Sequence, residues 1–412
     1  MKSFNFPCAR KELDLIKASF LNKFQGMRLD EKVLTLCFIT IFLPFPVTIA
    51  GALLASLYVC FDKIKRNQLR RLQGVCFLVL FGGLALVIPA MYQRWLSVFQ
   101  GLAAILLLCF GLLCRTTMTK SLLHRLMDLG CILSVPCLIY AIVQKLWIPS
   151  SLLDGRASSV FYNPNYYGTI LEYCILISFY RIMTCPSKKW WYLAVIGLSC
   201  IGIYLCDCIS ARPAVFLGCL VMLIYMKRFR LFTFVLAASV LYAVAALIIP
   251  GVLCRLPILD RMIELRVDIW ETAAKGFLQH PLFGQGTFTY QYIWPDIPGS
   301  EANDHSHSLY LEPLLNYGIV GTSALLSYFG LQYRSLWHSM RDRRESYLTA
   351  LLLGLTVSTL VHGISDVTVA WVQTGMLFLL LLSSTECLPV VKNRTARRQR
   401  KAKGDPQLSH SP

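Results

Sequence analysis

Charged residues are scarce in this chain, and their scarcity excludes an ordinary soluble protein. Only 15% of the 412 residues are Asp, Glu, Lys or Arg, while 56% are hydrophobic and the mean hydropathy is +0.56. The alternation of apolar and polar residues that marks membrane β-strands is also missing. Runs of about 18 or more apolar residues recur instead, and each can cross a bilayer as a helix. The sequence therefore predicts an all-α, polytopic helical membrane protein.

Acidic residues are scarcer than basic ones. The chain has 22 Asp and Glu against 40 Lys and Arg, which gives a formal net charge of +18. Basic residues collect in the cytoplasmic loops of membrane proteins, where they set the orientation of the spans. This tendency accounts for the excess, so we expect a lipid bilayer and no nucleic acid as a partner.

The cysteines lack any regular spacing. There are 16, mostly inside apolar runs, and none forms a CxxC pair. We interpret them as small hydrophobic residues and not as disulfides or metal ligands, although Cys206 and Cys208 lie close enough to an outer boundary to leave this question open for them. We also expect no cleavable signal peptide, because the N-terminus is polar and basic and the first apolar run is long.

Basic clusters predict how the chain threads the membrane. Residues 33–61 form an apolar run between a basic N-terminal segment and the sequence "DKIKRNQLRR". Both flanks favour the cytoplasm, so the run should enter and return, broken near Pro44 and Pro46. One long tilted helix is the alternative, and it would invert everything downstream. The hairpin is favoured because it puts every later basic connector on the same side.

This threading predicts about twelve transmembrane helices with both chain ends in the cytoplasm. The further spans are expected at 72–92, 96–114, 126–146, 166–184, 190–207, 213–227, 230–250, 308–332, 347–364 and 368–387. The regions are a cytoplasmic segment 1–32, a transmembrane bundle 33–250, an extracytoplasmic loop with an amphipathic helix 251–306, C-terminal transmembrane helices 307–390 and a basic cytoplasmic tail 391–412. The single large outer loop is a candidate functional loop because of its length.

Several arginines fall on the predicted outer side, against the usual tendency. Arg156 stands in "DGRASSVFYNPNYYG" and Arg212 in "SARP", while Arg255, Arg261 and Arg266 belong to the long loop. Each could be a surface residue near lipid headgroups. The alternative is an anion clamp, because a guanidinium carries five donors in a fixed fork that suits phosphate oxygens.

Arg266 has the most unusual surroundings of these arginines. The segment "LDRMIELRVDIWETAAKGFLQHP" predicts an amphipathic helix that ends before Pro281. The residues three and four positions from Arg266 on this helix are all apolar, so no carboxylate of its own turn faces it. A charge on an apolar face is costly unless a negative group meets it, which favours a ligand role for Arg266.

A histidine opens the next apolar segment. His307 begins "HSLYLEPLL", where a ring nitrogen could accept a proton from a substrate; the alternative is a helix-start residue bonded to the backbone. Asp304 and His305 lie beside it, but "DHSH" lacks a helical i, i+4 pair, so we expect no metal site. Gly318 and Gly321 follow in "YGIVGT", a spacing that permits close helix contact or a break.

These residues resemble the O-antigen ligase and Wzy-type polymerase superfamily of bacterial surface-glycan assembly. The sequence His307-Ser308, nine residues, Gly318, two residues, Gly321, Thr322 fits the ligase signature. Three further elements are similar to those of the family. Arg266 and Trp270 with "HPLFGQG" correspond to its Arg-x-x-x-Trp helix and the loop that follows. The Phe-x-Asn-Pro-Asn element is carried by Phe161, Asn163, Pro164 and Asn165, and the outer Ser-x-Arg turn by Arg212. Pro213 departs from the small residue usual after that arginine.

The resemblance implies a GT-C-like glycosyltransferase in the bacterial cytoplasmic membrane. Such an enzyme moves a glycan from undecaprenyl pyrophosphate to a hydroxyl of a glycan, lipid or protein acceptor on the outer face, with inversion and without metal or other cofactor. On this basis the catalytic residues are His307, Arg266 and Arg212, and the substrate-binding residues are Arg156, Asn163, Asn165, Trp270, Ser308, Gly318 and Gly321. The signature favours a ligase, while a capsule or surface-polysaccharide polymerase stays open. A lipid-linked glycan transporter is the weaker alternative, because only Glu172 lies deep within a span, where it could pair with an outer arginine or line a substrate path.

Overall fold

The computed structural model describes residues 26–249, 259–343 and 345–389. Within these ranges every regular element is helical, and the sole β-type pairing is an isolated bridge between Leu153 and Arg156. The predicted all-α class is therefore confirmed. Arg255, the basic tail 391–412 and most of the N-terminal segment 1–32 lie outside the described residues.

Fifteen α-helices occur in the described ranges. In chain order they are α1 Leu29–Thr40, α2 Phe45–Phe61, α3 Lys63–Arg71, α4 Val75–Met91, α5 Trp95–Thr117, α6 Lys120–Trp147, α7 Pro164–Thr184, α8 Lys189–Cys206, α9 Ala211–Tyr225, α10 Phe229–Ile248, α11 Leu259–Gln279, α12 Tyr290–Ile293, α13 Leu311–Asp342, α14 Ser346–His362 and α15 Val372–Leu382. Short 3-10 helices occupy Pro149–Ser151, Pro186–Lys188, Trp294–Asp296 and Ser383–Cys387.

The first apolar run is a hairpin of two helices. It breaks between α1 and α2, and Pro44 immediately precedes α2. At the turn, the Thr48 hydroxyl donates to the Thr40 carbonyl oxygen over 2.7 Å. At the far ends, the Lys65 ammonium lies 2.7 Å from Asp30, so the start of α1 meets the segment that follows α2. The chain doubles back here, and the alternative of one long tilted helix is wrong.

The membrane-spanning character is confirmed, but the number of spans stays a prediction. Five helical segments of the described chain are long and apolar enough to cross a membrane, or six if α2 and α3, bent by 84°, count as one. Four shorter apolar helices add to these. The bend puts the basic helix α3 almost at right angles to α2, as expected where a chain leaves the bilayer.

Helix α13 is longer than the sequence predicted. The expected span 308–332 ended before "YRSLWHSMRDRRE", which was interpreted as a connector, yet the helix runs on to Asp342. This extension contains neither Gly nor Pro, and its Arg, Leu and Met residues are good helix formers, so nothing stops the helix earlier. Near its start, Gly318 departs from helical geometry and breaks the helix.

Helix α7 forms the centre of the bundle, and most of its side chains are buried. Its carboxylate, Glu172, was expected to pair with an outer arginine or to line a substrate path. The Glu172 carboxylate instead lies 2.7 Å from Nδ1 of His362 and accepts a hydrogen bond from Ser358, both on α14. This buried pair links the two helices, as a carboxylate removed from water requires.

The connectors divide into two groups at opposite ends of the bundle. At one end, Arg156 donates to the carbonyl oxygen of Cys206 over 2.8 Å, and the Leu309 amide donates to the carbonyl oxygen of Gly363 over 2.8 Å. The group predicted to be cytoplasmic gathers at the other end, where Arg181 pairs with Asp128. The 21 residues of α7 separate the ends by roughly 30 Å. Every described cysteine is free, which answers the question left open for Cys206 and Cys208.

Candidate active site

His307 lies in the loop just before α13, in a constrained backbone conformation. Its φ of +50° falls in the left-handed region, which non-glycine residues rarely occupy outside turns and functional sites. The neighbouring Ser306 amide donates to the Glu312 carboxylate over 2.7 Å, and Asn316 donates to the other oxygen of that carboxylate over 2.8 Å. Glu312 thus fixes the loop from the first turn of α13, a role that the sequence analysis missed.

The two ring nitrogens of His307 have different surroundings. Nε2 lies 3.1 Å from the side-chain oxygen of Asn303, while Nδ1 lies 3.7 Å from Oδ1 of Asp366. Nδ1 is buried and has no hydrogen-bond partner in the described part of the chain. If Nε2 carries the proton and donates to Asn303, Nδ1 keeps its lone pair and can act as a base or a ligand.

The electrostatic surroundings keep this imidazole neutral. Burial is the main cause that lowers the pKa of His307 to about 4, and the charges of His305 and Arg266 lower it further. Asp366 opposes this shift. The ring is therefore neutral near pH 7 and able to accept a proton, while the Asp366 carboxylate stands ready to stabilise the imidazolium that results.

Asp366 is the main site residue that the sequence analysis did not select. It lies between α14 and α15, in the short predicted outer connector "HGISD", and is almost completely buried. Its Oδ2 accepts a hydrogen bond from Asn165 over 2.8 Å, and the Asn165 side-chain oxygen accepts one from Arg156. An acidic residue in an outer loop was the available signal, but only the fold brings it to His307.

The two arginines of the outer turns lie on either side of the end of α8. Arg156 is buried and donates to the Cys206 carbonyl and to Asn165. Arg212 donates through Nη2 to Asp207 over 2.7 Å, while its Nη1 is buried with no hydrogen-bond partner among the described residues. Arg212 therefore has donor capacity left for a ligand oxygen, whereas Arg156 mainly holds Asn165 in place.

The amphipathic helix of the long loop brings the third arginine close to the histidine. Helix α11 covers Leu259–Gln279, which confirms the predicted helix, and Lys275 pairs with Glu271 as the spacing indicated. Arg266 is half-buried, has an interaction partner within the chain and acts electrostatically on His307. One turn along, the indole nitrogen of Trp270 is buried with no hydrogen-bond partner among the described residues.

Two of the predicted substrate-binding residues stabilise helix starts. The side chain of Asn163 accepts a hydrogen bond from the Asn165 amide over 2.8 Å at the start of α7, as an N-cap does. The Ser308 hydroxyl accepts from the amides of Tyr310 and Leu311 over 3.3 and 3.4 Å, before α13. Both residues position the site, and these contacts give them a structural role.

The signature glycines pack the loop that follows α11 against a break in α13. Gly318 has φ +59°, and a Cβ there would lie 2.4 Å from the backbone of Leu282. The amide of Ile319, next to Gly318, donates to the Pro281 carbonyl over 2.8 Å, so the loop supplies an acceptor where the helix is broken. A Cβ on Gly321 would lie 2.6 Å from Cβ of Tyr317. These glycines act through the backbone.

One group of side chains has the composition of a metal site. One ligand atom each from His305, His307 and Asp366 lies within 4.8 Å of the others. The sequence analysis expected no metal site, because it considered only residues near the histidines along the chain. The third member comes from the connector between α14 and α15.

The arrangement combines positive charge, spare hydrogen-bond donors and a neutral imidazole at one end of the bundle. Guanidinium groups can hold an anionic leaving group, and a neutral imidazole can remove the proton of a hydroxyl nucleophile. Both groups are needed to transfer a phosphate-activated group to an alcohol.

Comparison with protein families agrees with this chemistry. Residues 208–326 match the family model described as O-Antigen ligase. The matched segment contains Arg212, Arg266 and His307, whereas Arg156 and Asp366 lie outside it. None of the curated proteins compared with the chain matches it. The matched segment supports the resemblance to the O-antigen ligase and Wzy-type polymerase superfamily, and the family indicates a ligase or polymerase type of function.

Proposed function

We propose that this protein is an O-antigen ligase-type glycosyltransferase. It moves a glycan from undecaprenyl pyrophosphate to a hydroxyl acceptor at the outer face of the bacterial cytoplasmic membrane. The observation that carries the proposal is the neutral His307, which lies beside Asp366 and within electrostatic reach of Arg266. A base and an anion clamp meet here at one end of a membrane bundle.

The arginines bind the diphosphate of the donor. Arg212 has a buried nitrogen without a partner among the described residues, and Trp270 has another such donor. These groups suit phosphate oxygens, whose negative charge grows as the bond to the sugar breaks. The exposed apolar residues beside Arg266 on α11, Ile263 and Val267, suit the polyprenyl chain beside its charged head.

His307 activates the acceptor. Nδ1 takes the proton of the acceptor hydroxyl while the hydroxyl oxygen forms a bond to the anomeric carbon. The bond between that carbon and the phosphate oxygen breaks, and its electron pair leaves with the carrier pyrophosphate. Attack from the opposite face inverts the anomeric configuration. Asp366 stabilises the imidazolium, and the step requires no metal.

The acceptor separates the two forms of this function. A ligase uses a lipid or protein acceptor, whereas a polymerase uses the terminal sugar of a growing chain. The signature His307-Ser308 with Gly318 and Gly321 favours the ligase. The surface-polysaccharide polymerase remains the second candidate, because both share the anion-binding arginines.

A reconstituted transfer assay tests the proposal. The full chain in proteoliposomes receives purified lipid-linked oligosaccharide with either a lipid acceptor, a protein acceptor or donor alone. We expect transfer to a separate acceptor and release of carrier pyrophosphate. Chain extension with donor alone would identify a polymerase, and donor that crosses the bilayer unchanged would identify a transporter and overturn the proposal.

A further inference from the structure

The two histidines of the outer loop and Asp366 stand at distances that suit a shared cation. Nε2 of His305 and Nδ1 of His307 lie 3.6 and 3.7 Å from the same carboxylate oxygen, Oδ1 of Asp366. These separations are too long for hydrogen bonds. Zinc bonds to nitrogen and oxygen of about 2.0–2.2 Å place the ligands of a tetrahedral site about 3.3–3.6 Å apart. The two distances to Asp366 lie at the upper end of this range, and all three ligand atoms lie within 4.8 Å of one another.

The nitrogen ligand atoms are buried but not used by other groups. Both ring nitrogens of His305 and Nδ1 of His307 have no hydrogen-bond partner in the described part of the chain. Buried polar atoms normally find a partner, so the two nitrogens that face one carboxylate, His305 Nε2 and His307 Nδ1, call for an explanation. A bound cation supplies it, because it accepts a lone pair from each ring.

The surroundings provide the outer contacts that metal ligands usually have. Nε2 of His307 lies 3.1 Å from the Asn303 side-chain oxygen, and Oδ2 of Asp366 accepts from Asn165 over 2.8 Å. Such contacts fix the ring tautomer and the direction of the carboxylate. The unpartnered Nδ1 of His307 faces Oδ1 of Asp366, which accepts one hydrogen bond from the Val367 amide over 2.7 Å and has a second lone pair for a cation.

The ligand types select the ion. Two imidazoles and one carboxylate suit Zn²⁺, Cu²⁺ or Ni²⁺, whereas Mg²⁺ and Ca²⁺ prefer oxygen ligands. Three protein ligands leave a fourth position for water. The positive charge of Arg266 acts on His307 and opposes a cation, so we expect weaker binding than at a structural zinc site.

We propose that His305, His307 and Asp366 bind a divalent transition-metal ion such as Zn²⁺, and that this ion inhibits glycan transfer by occupying Nδ1 of His307. The inhibition rests on the proposed function, whereas the binding does not. A metal on Nδ1 removes the lone pair that accepts the acceptor's proton. Zinc outside the cell would then act as a reversible brake on the enzyme.

Binding is tested without substrate. The full chain, purified in detergent with a tag that contains no histidine and stripped with a chelator, is titrated with Co²⁺ while its visible absorption is followed. We expect one equivalent with a four- or five-coordinate spectrum, displaced by Zn²⁺ and not by Mg²⁺. His305→Phe, which keeps a ring between Phe288 and Trp371, should abolish this spectrum. Control His124→Ala, at the opposite end, should keep it.

An unchanged Co²⁺ spectrum in His305→Phe would overturn the site, as would a wild-type chain that binds no Co²⁺.

The inhibition is tested with the transfer assay. We expect Zn²⁺ to lower transfer by wild type at least tenfold at saturation, with full recovery after chelation. His305→Phe, measured against its own rate without metal, should lose the sensitivity to Zn²⁺. Stimulation by Zn²⁺, or equal inhibition of both proteins, would overturn the brake. A chain that binds Co²⁺ but never transfers glycan would contradict the proposed function and leave the metal site standing.

Discussion

Each end of the bundle holds a largely buried arginine next to an aspartate, but the two arginines differ in how many of their nitrogens are hydrogen-bonded. At one end, Arg181 binds both oxygens of Asp128 over 2.7 and 3.1 Å, and Tyr192 donates to the same carboxylate over 2.8 Å. At the other, Arg212 reaches Asp207 with one nitrogen, while Nη1 has no hydrogen-bond partner among the described residues.

The difference separates a structural ion pair from a binding site. The carboxylate of Asp128 accepts hydrogen bonds from two nitrogens of the Arg181 guanidinium. This ion pair is completed by protein groups alone, and it links α6 to α7. Arg212, His305 and His307 instead keep unused polar atoms that are buried. Retaining such atoms costs stability, and they persist where a ligand completes them.

The largest difference in transfer rate is expected between substitutions of the histidines at the two ends of the bundle. His307→Ala should lower transfer by about 10²- to 10⁴-fold, because general base catalysis typically contributes that much. His124→Ala removes a ring that contacts the Tyr180 hydroxyl at 2.8 Å at the other end, and it should leave the rate within about twofold. Initial rates in proteoliposomes with matched protein content check both. Equal losses of transfer rate would mean that both substitutions lower activity by disturbing the folded structure and not by removing a catalytic group.

The arginines give the next largest contrast. Arg212→Gln should lower transfer about 100-fold, because a donor aimed at developing charge is lost. Arg181→Gln should leave the activity per folded molecule unchanged but lower stability by on the order of 3 kcal/mol, since Asp128 loses its partner. Transfer rates and thermal unfolding in detergent, measured on both variants, check this.

Arg212→Lys refines the same comparison. It keeps the charge but removes the fork of donors, so partial activity is expected. Wild-type transfer by Arg212→Gln would remove this residue from the clamp.

Two glycines of α13 allow a comparison of stability between the end of the helix near the site and the rest of the helix. Gly318→Ala should cost about 2 kcal/mol or more of stability, since Ala resists φ +59° and its Cβ would overlap the backbone of Leu282. Gly330→Ala meets no atom within 4 Å and should be neutral or stabilise by up to about 1 kcal/mol. Thermal unfolding of the two variants checks this, and equal stability would contradict the break at Gly318.

The smallest effect on activity is expected from single cysteines placed at the two ends. Ala302→Cys and Arg341→Cys, in a chain whose exposed Cys60, Cys76 and Cys200 are replaced, should both transfer glycan normally. A membrane-impermeant thiol reagent on intact cells should label only the cysteine at position 302, because this position lies beside the site, which is proposed to face the outside. Labelling of the second alone would put the site on the cytoplasmic side.

The sequence predicted the architecture well wherever hydropathy decided it. The apolar runs, the hairpin at residues 33–61 and the amphipathic helix α11 all appear, because each reflects a local periodicity. The end of the span 308–332 was wrong, since a polar sequence free of Gly and Pro continues as helix. Glu172 was also misjudged, because its partner His362 lies far along the chain.

The site was predictable only in part. His307, Arg212 and Arg266 were selected from local features, and the structure brings Arg266 within electrostatic reach of His307. Asp366 and Glu312 were missed because only tertiary contacts join them to the histidine loop. Substrate binding by Gly318 stays a prediction, and the structure adds the backbone packing against Leu282 that the motif did not reveal.

The central claim is that arginines grip the diphosphate while one imidazole activates the acceptor. Equilibrium binding of undecaprenyl pyrophosphate, measured alongside transfer on the same three proteins, tests it most directly. The account predicts that His307→Ala binds the carrier like wild type but does not transfer glycan, whereas Arg212→Gln binds it at least tenfold more weakly. Transfer by His307→Ala at the wild-type rate, or wild-type carrier affinity in Arg212→Gln, would contradict this division of labour.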